Sequence, residues 1–493
     1  MRYDFIVIGS GFGGSIAAFQ LARAGARVLV LERGPWRDSL PVRSLGIAER
    51  APLPQGWRGL PYALRGVHHR LLPAAGLRLN REGMYELFRF AGIDALCTSG
   101  VGGGSHAYAG LLAPPAAAAY WQQRHPQLDS RQVERHYPQV LADLEASELR
   151  RDIHPNNIWS RLAALNTEAF QVADQQPRLG LRLPGQVGNP ARAAVERRAT
   201  EFRGDSFLGS PGGAKATVDW VYLAPALQAG AQLRTLCEAV RISQDAGGYR
   251  VAVRDLRSGV AEQLRAARVV LAAGTLNSLR LLFRSAAEPS TGLAPMPSLG
   301  QGFSGNTDLV GFWRPPIAAS SLDAPASLGR FSHLKQAAPY LVLGSFAGMD
   351  ALPLPAPLRR WLDQRLLVIG MAADSGRARV EYADGRLRLR YRAEDETVFR
   401  EVRAVFKALA LASGSPVRAR RGPVTVHPSG GARLGRDASE GVVDQHGEVY
   451  GNPGLYIADG SALPAAPGAP PTLAIAAWAH YLSSRLAGSG HSG

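Results

Sequence analysis

Gly9, Gly11 and Gly14 stand as G-x-G-x-x-G within GSGFGG, and Glu32 follows eighteen residues after the last of them. That spacing suits a dinucleotide. Gly9 makes the tight turn, Gly11 lets the backbone approach a pyrophosphate, and Gly14 permits close helix packing. The start of the following helix offers the phosphates N–H groups and positive potential, and Glu32 would accept hydrogen bonds from an adenosine ribose. The motif alone does not separate FAD from NAD. Two later stretches also carry chemistry-bearing residue types: a second glycine cluster, TSGVGGGS (98–105), and VTVHPSGGARLG, where His427 precedes a proline and two glycines.

The elements that must hold these residues surround them. DFIVIG (4–9) is an apolar run of strand length, SIAAFQLARAG (15–25) has helical spacing and RVLVLE (27–32) reads as a second buried strand, which makes a βαβ unit. Further on, VDWVYLAPALQAG predicts a helix and QLRTLCEAVRISQ a strand. GYRVAVRD and EQLRAARVVLAAG predict paired strands, and SLRLLFRSA a helix starting near Asn277. Residues 81–92, REGMYELFRFAG, read as a short helix, and 116–200 as helical and polar. Between 306 and 424 the pattern alternates as in strands (LVLGSFAGM, LLVIGMAAD, ARVEYA, LRLRYR). These are joined by the Pro-rich ALPLPAPLRRWLDQ and the helix ETVFREVRAVFKALALAS. The chain closes on APPTLAIAAWAHYLSSRL, a helix whose first turn would contain Pro470 and Pro471, because a missing N–H there has no intrahelical partner to lose.

A chain of 493 residues predicts two joined domains. No window approaches the ~18 consecutive apolar residues of a transmembrane span. The opening MRYDFIVIGSGFGG has no leader pattern, so a cytoplasmic enzyme is expected. Cys97 and Cys237 lack metal or disulfide spacing and read as buried small residues. The net charge of +16 is carried almost wholly by arginines, since Lys215, Lys335 and Lys407 are the only lysines. Scattered without a basic tail or stripe, they exclude a nucleic-acid reading and leave a field that favours an anionic cofactor or substrate.

TSGVGGGSHAYAG, VVLAAGTLNSLRLLF and HPSGGARLG…GNPGLYIADGSALP follow the first glycine motif in an order that resembles the glucose–methanol–choline oxidoreductases. LGQGFSGNTD (299–308) brings the likeness nearest to the bacterial cholesterol oxidase branch. The resemblance covers about 1–34, 97–112, 212–312 and 424–487. It implies an α/β fold: a discontinuous Rossmann-type FAD-binding domain (1–112, 212–305 and 425–493) with an inserted α+β substrate domain on a mainly antiparallel sheet (113–211 and 306–424). It also implies FAD contacts at Gly102, Gly103, Gly104 and Ser105, at the backbone of Val240, at Gly274, and at Asp459 and Gly460. Where some members tether FAD through a histidine, this chain has Ala107, so noncovalent FAD is expected.

At the reacting end the resemblance implies that His427 sits over the flavin as base or hydroxyl anchor during hydride removal from an alcohol, a task suited to imidazole. The start of the last helix would face the flavin pyrimidine, with the N–H of Thr472 directed at O2. Members usually place an Asn or second His at the position of Pro470. His106, Tyr108, Asn306 and His480 are the unranked substitutes, and no match appears for the glutamate that assists sterol oxidation. The expected partners are a small-molecule substrate, lipophilic by the apolar character of LVLGSFAGMDALPLPAPL, and an electron acceptor, oxygen or another. Non-oxidative chemistry on the same scaffold (a lyase or a photodecarboxylase) and a flavin-binding subunit without turnover remain the alternatives.

Overall fold

The computed structural model describes residues 2–148, 172–174, 178–201, 205, 207–317, 327–331, 339–345 and 354–488. The strand Arg2–Ile8 lies at the centre of a seven-stranded sheet, parallel to Val28–Leu31 on one side and to Ala261–Leu271 on the other. Gln232–Arg234 extends it in parallel beyond Val28–Leu31. On its other edge the long strand Ala261–Leu271 serves two further neighbours. Its first half pairs antiparallel with Gly248–Asp255, and its last residues pair parallel with Leu455–Ile457.

Alternation in DFIVIG divides the core. Phe5 and Val7 face the first helix (Phe12–Arg23) and the C-terminal helix (Thr472–Gly488), while Ile6 and Ile8 pack with Ile242, Leu276 and Leu279. The part of this strand buried on both faces, 5–8, is apolar throughout, as such burial requires.

The second large sheet has six strands in the order Val172–Asp174, Ser327–Phe331, Tyr340–Ser345, Leu366–Met371, Leu309–Trp313 and Val417–Ala419, antiparallel at every pairing. Leu366 and Val368 turn to the helix Thr397–Ser413, packing with Phe399, Val402 and Phe406. Ile369 and Met371 turn the other way and join Leu111 and Val342. No helix among the described residues is long and apolar enough to cross a membrane.

Four local expectations need correction. REGMYELFRFAG holds the strand Tyr85–Arg89, paired on both sides, with Glu86 and Phe88 on its buried face. The buried Glu86, bonded to Arg33 and His68, hides the period-2 alternation. QLRTLCEAVRISQ is two strands, Gln232–Arg234 and Cys237–Asp245, broken where Leu236 adopts φ +51°. Within 116–200 the described residues form only short helices, Ser130–Glu134 and Tyr137–Asp143, with single turns and strand fragments. Gly180, Pro184, Gly185 and Pro190 break any longer period. Residues 149–171 and 175–177 of that stretch, and 346–353 of LVLGSFAGM and the Pro-rich segment, lie outside the described residues. Finally, the last helix begins at Thr472, and the Pro471 carbonyl accepts from Ile475 N at 2.9 Å. Pro471 is therefore the cap, with Thr472, Leu473 and Ala474 supplying the N–H groups that have no acceptor inside the helix.

Candidate functional site

A cavity of 830 Å³ runs from the first glycine loop to the apolar face of the six-stranded sheet. Gly9, Gly11, Glu32, Gly103, Gly104, Val240, Gly274, His427, Asp459, Gly460 and Thr472 all line it. Gly14, Gly102 and Ser105 stand behind the wall. Gly9 has φ +102°, and a Cβ there would lie 2.3 Å from the Ala272 carbonyl oxygen, so the turn admits only glycine. Gly14 lets the helix start approach the Gly9 carbonyl, which an added Cβ would meet at 1.8 Å.

Gly11 differs from both. Its φ is −71°, and an added Cβ would meet nothing nearer than Gly103 Cα at 4.0 Å. The space beside it belongs to the cavity, which is the cradle a pyrophosphate requires, so the residues fit a dinucleotide. Gly11→Val should cost the flavin-free protein only about 1 kcal/mol, the loss of a favourable N-cap residue. It should weaken flavin binding by about tenfold or more, ~1.4 kcal/mol, as read by melting temperature and by flavin titration.

Glu32 sits where the two glycine loops meet. Its carboxylate accepts from Ser10 N (3.1 Å), Ser10 Oγ (2.7 Å), Gly34 N (2.8 Å) and Gly100 N (3.3 Å). Ser105 acts on the fold, its Oγ donating to the Gly102 carbonyl and accepting from Val218 N. Lys215, fully buried, donates from Nζ to the carbonyls of His106 (2.7 Å) and Tyr108 (2.8 Å), and burial pushes it down to about 7. The Asp459 carboxylate takes four bonds, from Gly274 N, Ser278 Oγ, Ser461 N and Ser461 Oγ, joining the turns at 274 and 460; burial raises its pKa. Cys237 is buried in the core as expected, whereas Cys97 is partly exposed; both border the cavity.

Val310, Val342, Leu367, Ile369 and Met371, from the six-stranded sheet, give the cavity apolar lining, and His427, Pro470, Pro471 and Thr472 belong to the same lining. His427 Nδ1 is 3.1 Å from Asp308 Oδ1, which meets it as an acceptor, and 2.9 Å from Oδ2. The remaining ring nitrogen, Nε2, has no protein partner among the described residues. Asp308 is fully buried and was missed by sequence reasoning, although LGQGFSGNTD ends on it. Ser10, bonded to Glu32, was missed too. An aspartate after Gly-Asn-Thr looks like a turn residue, and only its distance partner in the fold distinguishes it.

None of the four substitutes offers a spare polar atom beside Pro470. His106 Nε2 bonds the Val101 carbonyl at 2.6 Å, off the cavity wall, and burial lowers its pKa. Tyr108 lines the cavity but donates its hydroxyl to the Ala216 carbonyl at 2.7 Å. Asn306 bonds Gly468 N and the Ala469 carbonyl. His480 bonds Gln20 and Tyr222 away from the cavity, pushed down to about 4 by burial.

Family models described as GMC oxidoreductase match residues 3–307 and 377–479. The chain belongs to the GMC oxidoreductase family. GMC oxidoreductases are FAD-dependent enzymes acting on alcohols, and this chain is an enzyme of that class. It is 25% identical to a cholesterol oxidase of Mycobacterium tuberculosis, over 98% of this chain and 90% of that protein. To a 6'''-hydroxyparomomycin C oxidase of Streptomyces lividus it is 27% identical, over 98% and 91%. A solved pyridoxine 4-oxidase from Mesorbium loti shares the fold of this GMC oxidoreductase, with a TM-score of 0.62 at 19% identity, covering 98% of this chain and 99% of that one.

Proposed function

We propose that the protein binds FAD noncovalently and oxidises the CH–OH group of a lipophilic alcohol, with His427 as base and hydroxyl anchor. The observation that carries this reading is that His427, whose Nδ1 meets Asp308, lines the same cavity as the apolar Val310, Val342, Leu367, Ile369 and Met371. Gly9, Gly11, Glu32, Gly103, Gly104, Val240, Gly274, Asp459 and Gly460 would hold the cofactor, with Gly14, Gly102 and Ser105 shaping the loops that do so. We assign 1–112, 212–305 and 425–493 to cofactor binding and 113–211 and 306–424 to the substrate. Ala107 in the cavity wall and His106 turned to Val101 support a noncovalent attachment.

Bound FAD supplies a two-electron hydride acceptor for the carbinol hydrogen. His427 Nε2 takes the hydroxyl proton, so that the C–O single bond becomes a carbonyl. The N–H groups of the last helix, Thr472 first, present positive potential at its end of the cavity without needing to reorganise. The apolar wall excludes water and aligns the alkyl part of the substrate. Pro470 and Pro471 contribute shape and no donor, so His427 is the sole side chain in this reading that handles the proton.

Anaerobic mixing with a panel of medium- and long-chain or terpenoid alcohols should bleach the flavin, and matched polar alcohols should bleach it at least tenfold more slowly. Pro470, standing where relatives carry a polar side chain, favours one other reading, non-oxidative turnover. Product formed without flavin reduction would establish that reading, light-dependent product a photoenzyme, and tight flavin with no response a subunit without turnover.

A further inference from the structure

Residues 304–308 form the turn between the strands Gln301–Phe303 and Leu309–Trp313. Asn306 and Thr307 have φ +53° and +52°, both fully buried, and the Thr307 hydroxyl has no hydrogen-bond partner among the described residues. Two consecutive left-handed residues, one of them β-branched, store strain that surrounding contacts must hold. Those contacts run to both sides of the reacting end. Ser304 and Ser429 exchange backbone bonds at 2.9 and 3.0 Å beside His427, and the Asn306 amide holds Gly468 N (2.8 Å) and the Ala469 carbonyl (3.2 Å) just before Pro470. Asp308 ends the turn against the His427 ring.

We infer that Asp308 is the positioning residue of this site: its carboxylate holds the proton of His427 on Nδ1 and leaves Nε2 bare toward the cavity. This rests on the reading of His427 given above. Asp308 Oδ2 accepts from Val426 N (3.0 Å) and Thr425 Oγ1 (3.1 Å), so the carboxylate is oriented by the same strand that delivers the histidine. His427 N in turn donates to Thr425 Oγ1 at 2.9 Å. Both carboxylate oxygens can only accept, so the ring nitrogen facing them must carry the hydrogen.

The arrangement makes an isosteric change worse than a truncation. In Asp308→Asn the backbone N–H of Val426 needs an acceptor and retains the amide oxygen, which turns the NH2 group toward Nδ1. Nδ1 must then accept, and the proton moves to Nε2, the atom that has to receive the substrate proton. Asp308→Ala removes the director and leaves both tautomers accessible.

The test reads the ring directly. With 15N-histidine labelling of the flavin-loaded protein, and His427→Gln to assign its signal, the wild type should show Nδ1 protonated and Nε2 bare; Asp308→Asn should show the reverse. Turnover should fall on the order of 10³-fold in Asp308→Asn with KM changed less than about threefold, and by a smaller factor in Asp308→Ala. A purely structural role predicts the opposite order, with the cavity-forming alanine worse. An unchanged tautomer in Asp308→Asn, or an asparagine variant more active than the alanine one, overturns the inference. The tautomer signal requires no substrate. A wild type that fails to oxidise any alcohol while still showing Nδ1–H refutes the proposed reaction and leaves the positioning intact.

Discussion

His427→Ala should lower turnover by about 10²- to 10⁴-fold while the flavin spectrum, flavin stoichiometry and melting temperature stay near those of the wild type. The side chain is partly exposed, and among the described residues its hydrogen-bond partner is Asp308. Truncation therefore removes the proton acceptor without opening the core. The loss should appear in the rate of anaerobic flavin reduction, and a deuterium label on the carbinol carbon should still slow that rate, because hydride removal remains. The substrate hydroxyl would then have to surrender its proton to water in a chamber walled by aliphatic side chains, where developing charge is poorly solvated. Retention of full activity would mean that the proton leaves by another route and that the imidazole is only part of the wall.

The largest effect on the folded, flavin-loaded state is expected at Glu32. Glu32→Ala removes the acceptor of three backbone N–H groups and one hydroxyl, all buried. Hydrogen bonds to a charged acceptor, and the cost of leaving buried donors unmet, together predict a destabilisation of about 3 to 5 kcal/mol. Because the donors come from residues 10, 34 and 100, the first and second glycine loops should separate, and the protein should purify with little flavin. Glu32→Gln keeps the volume but turns one acceptor into a donor facing donors, so it should be intermediate. Thermal melting with and without added FAD would measure both terms; equal melting temperatures for Glu32→Ala and the wild type would mean that Ser10, Gly34 and Gly100 find other acceptors.

The opening βαβ unit was legible because its signals are local. A run such as DFIVIG is apolar for a reason visible in six residues, and Gly9 must be glycine because its backbone is left-handed. Tyr85–Arg89 was misread because the core position at Glu86 is charged, and its partners Arg33 and His68 are distant in sequence. Asp308 was invisible for a related reason: an acid whose hydrogen-bond partner lies 119 positions away has no periodicity to betray it. The proline pair was read one step too far inside its helix, since capping is decided by which carbonyl takes the first bond, and here it is that of Pro471.

The strand Leu366–Met371 sends Leu366 and Val368 to a helix-covered core and Leu367, Ile369 and Met371 to the cavity. Selection acting on odd-numbered positions can thus widen, narrow or re-contour the chamber one side chain at a time, while the even-numbered ones keep the scaffold folded. A focused library at 367, 369 and 371 would re-contour the cavity while leaving Leu366 and Val368 on the helix-covered face.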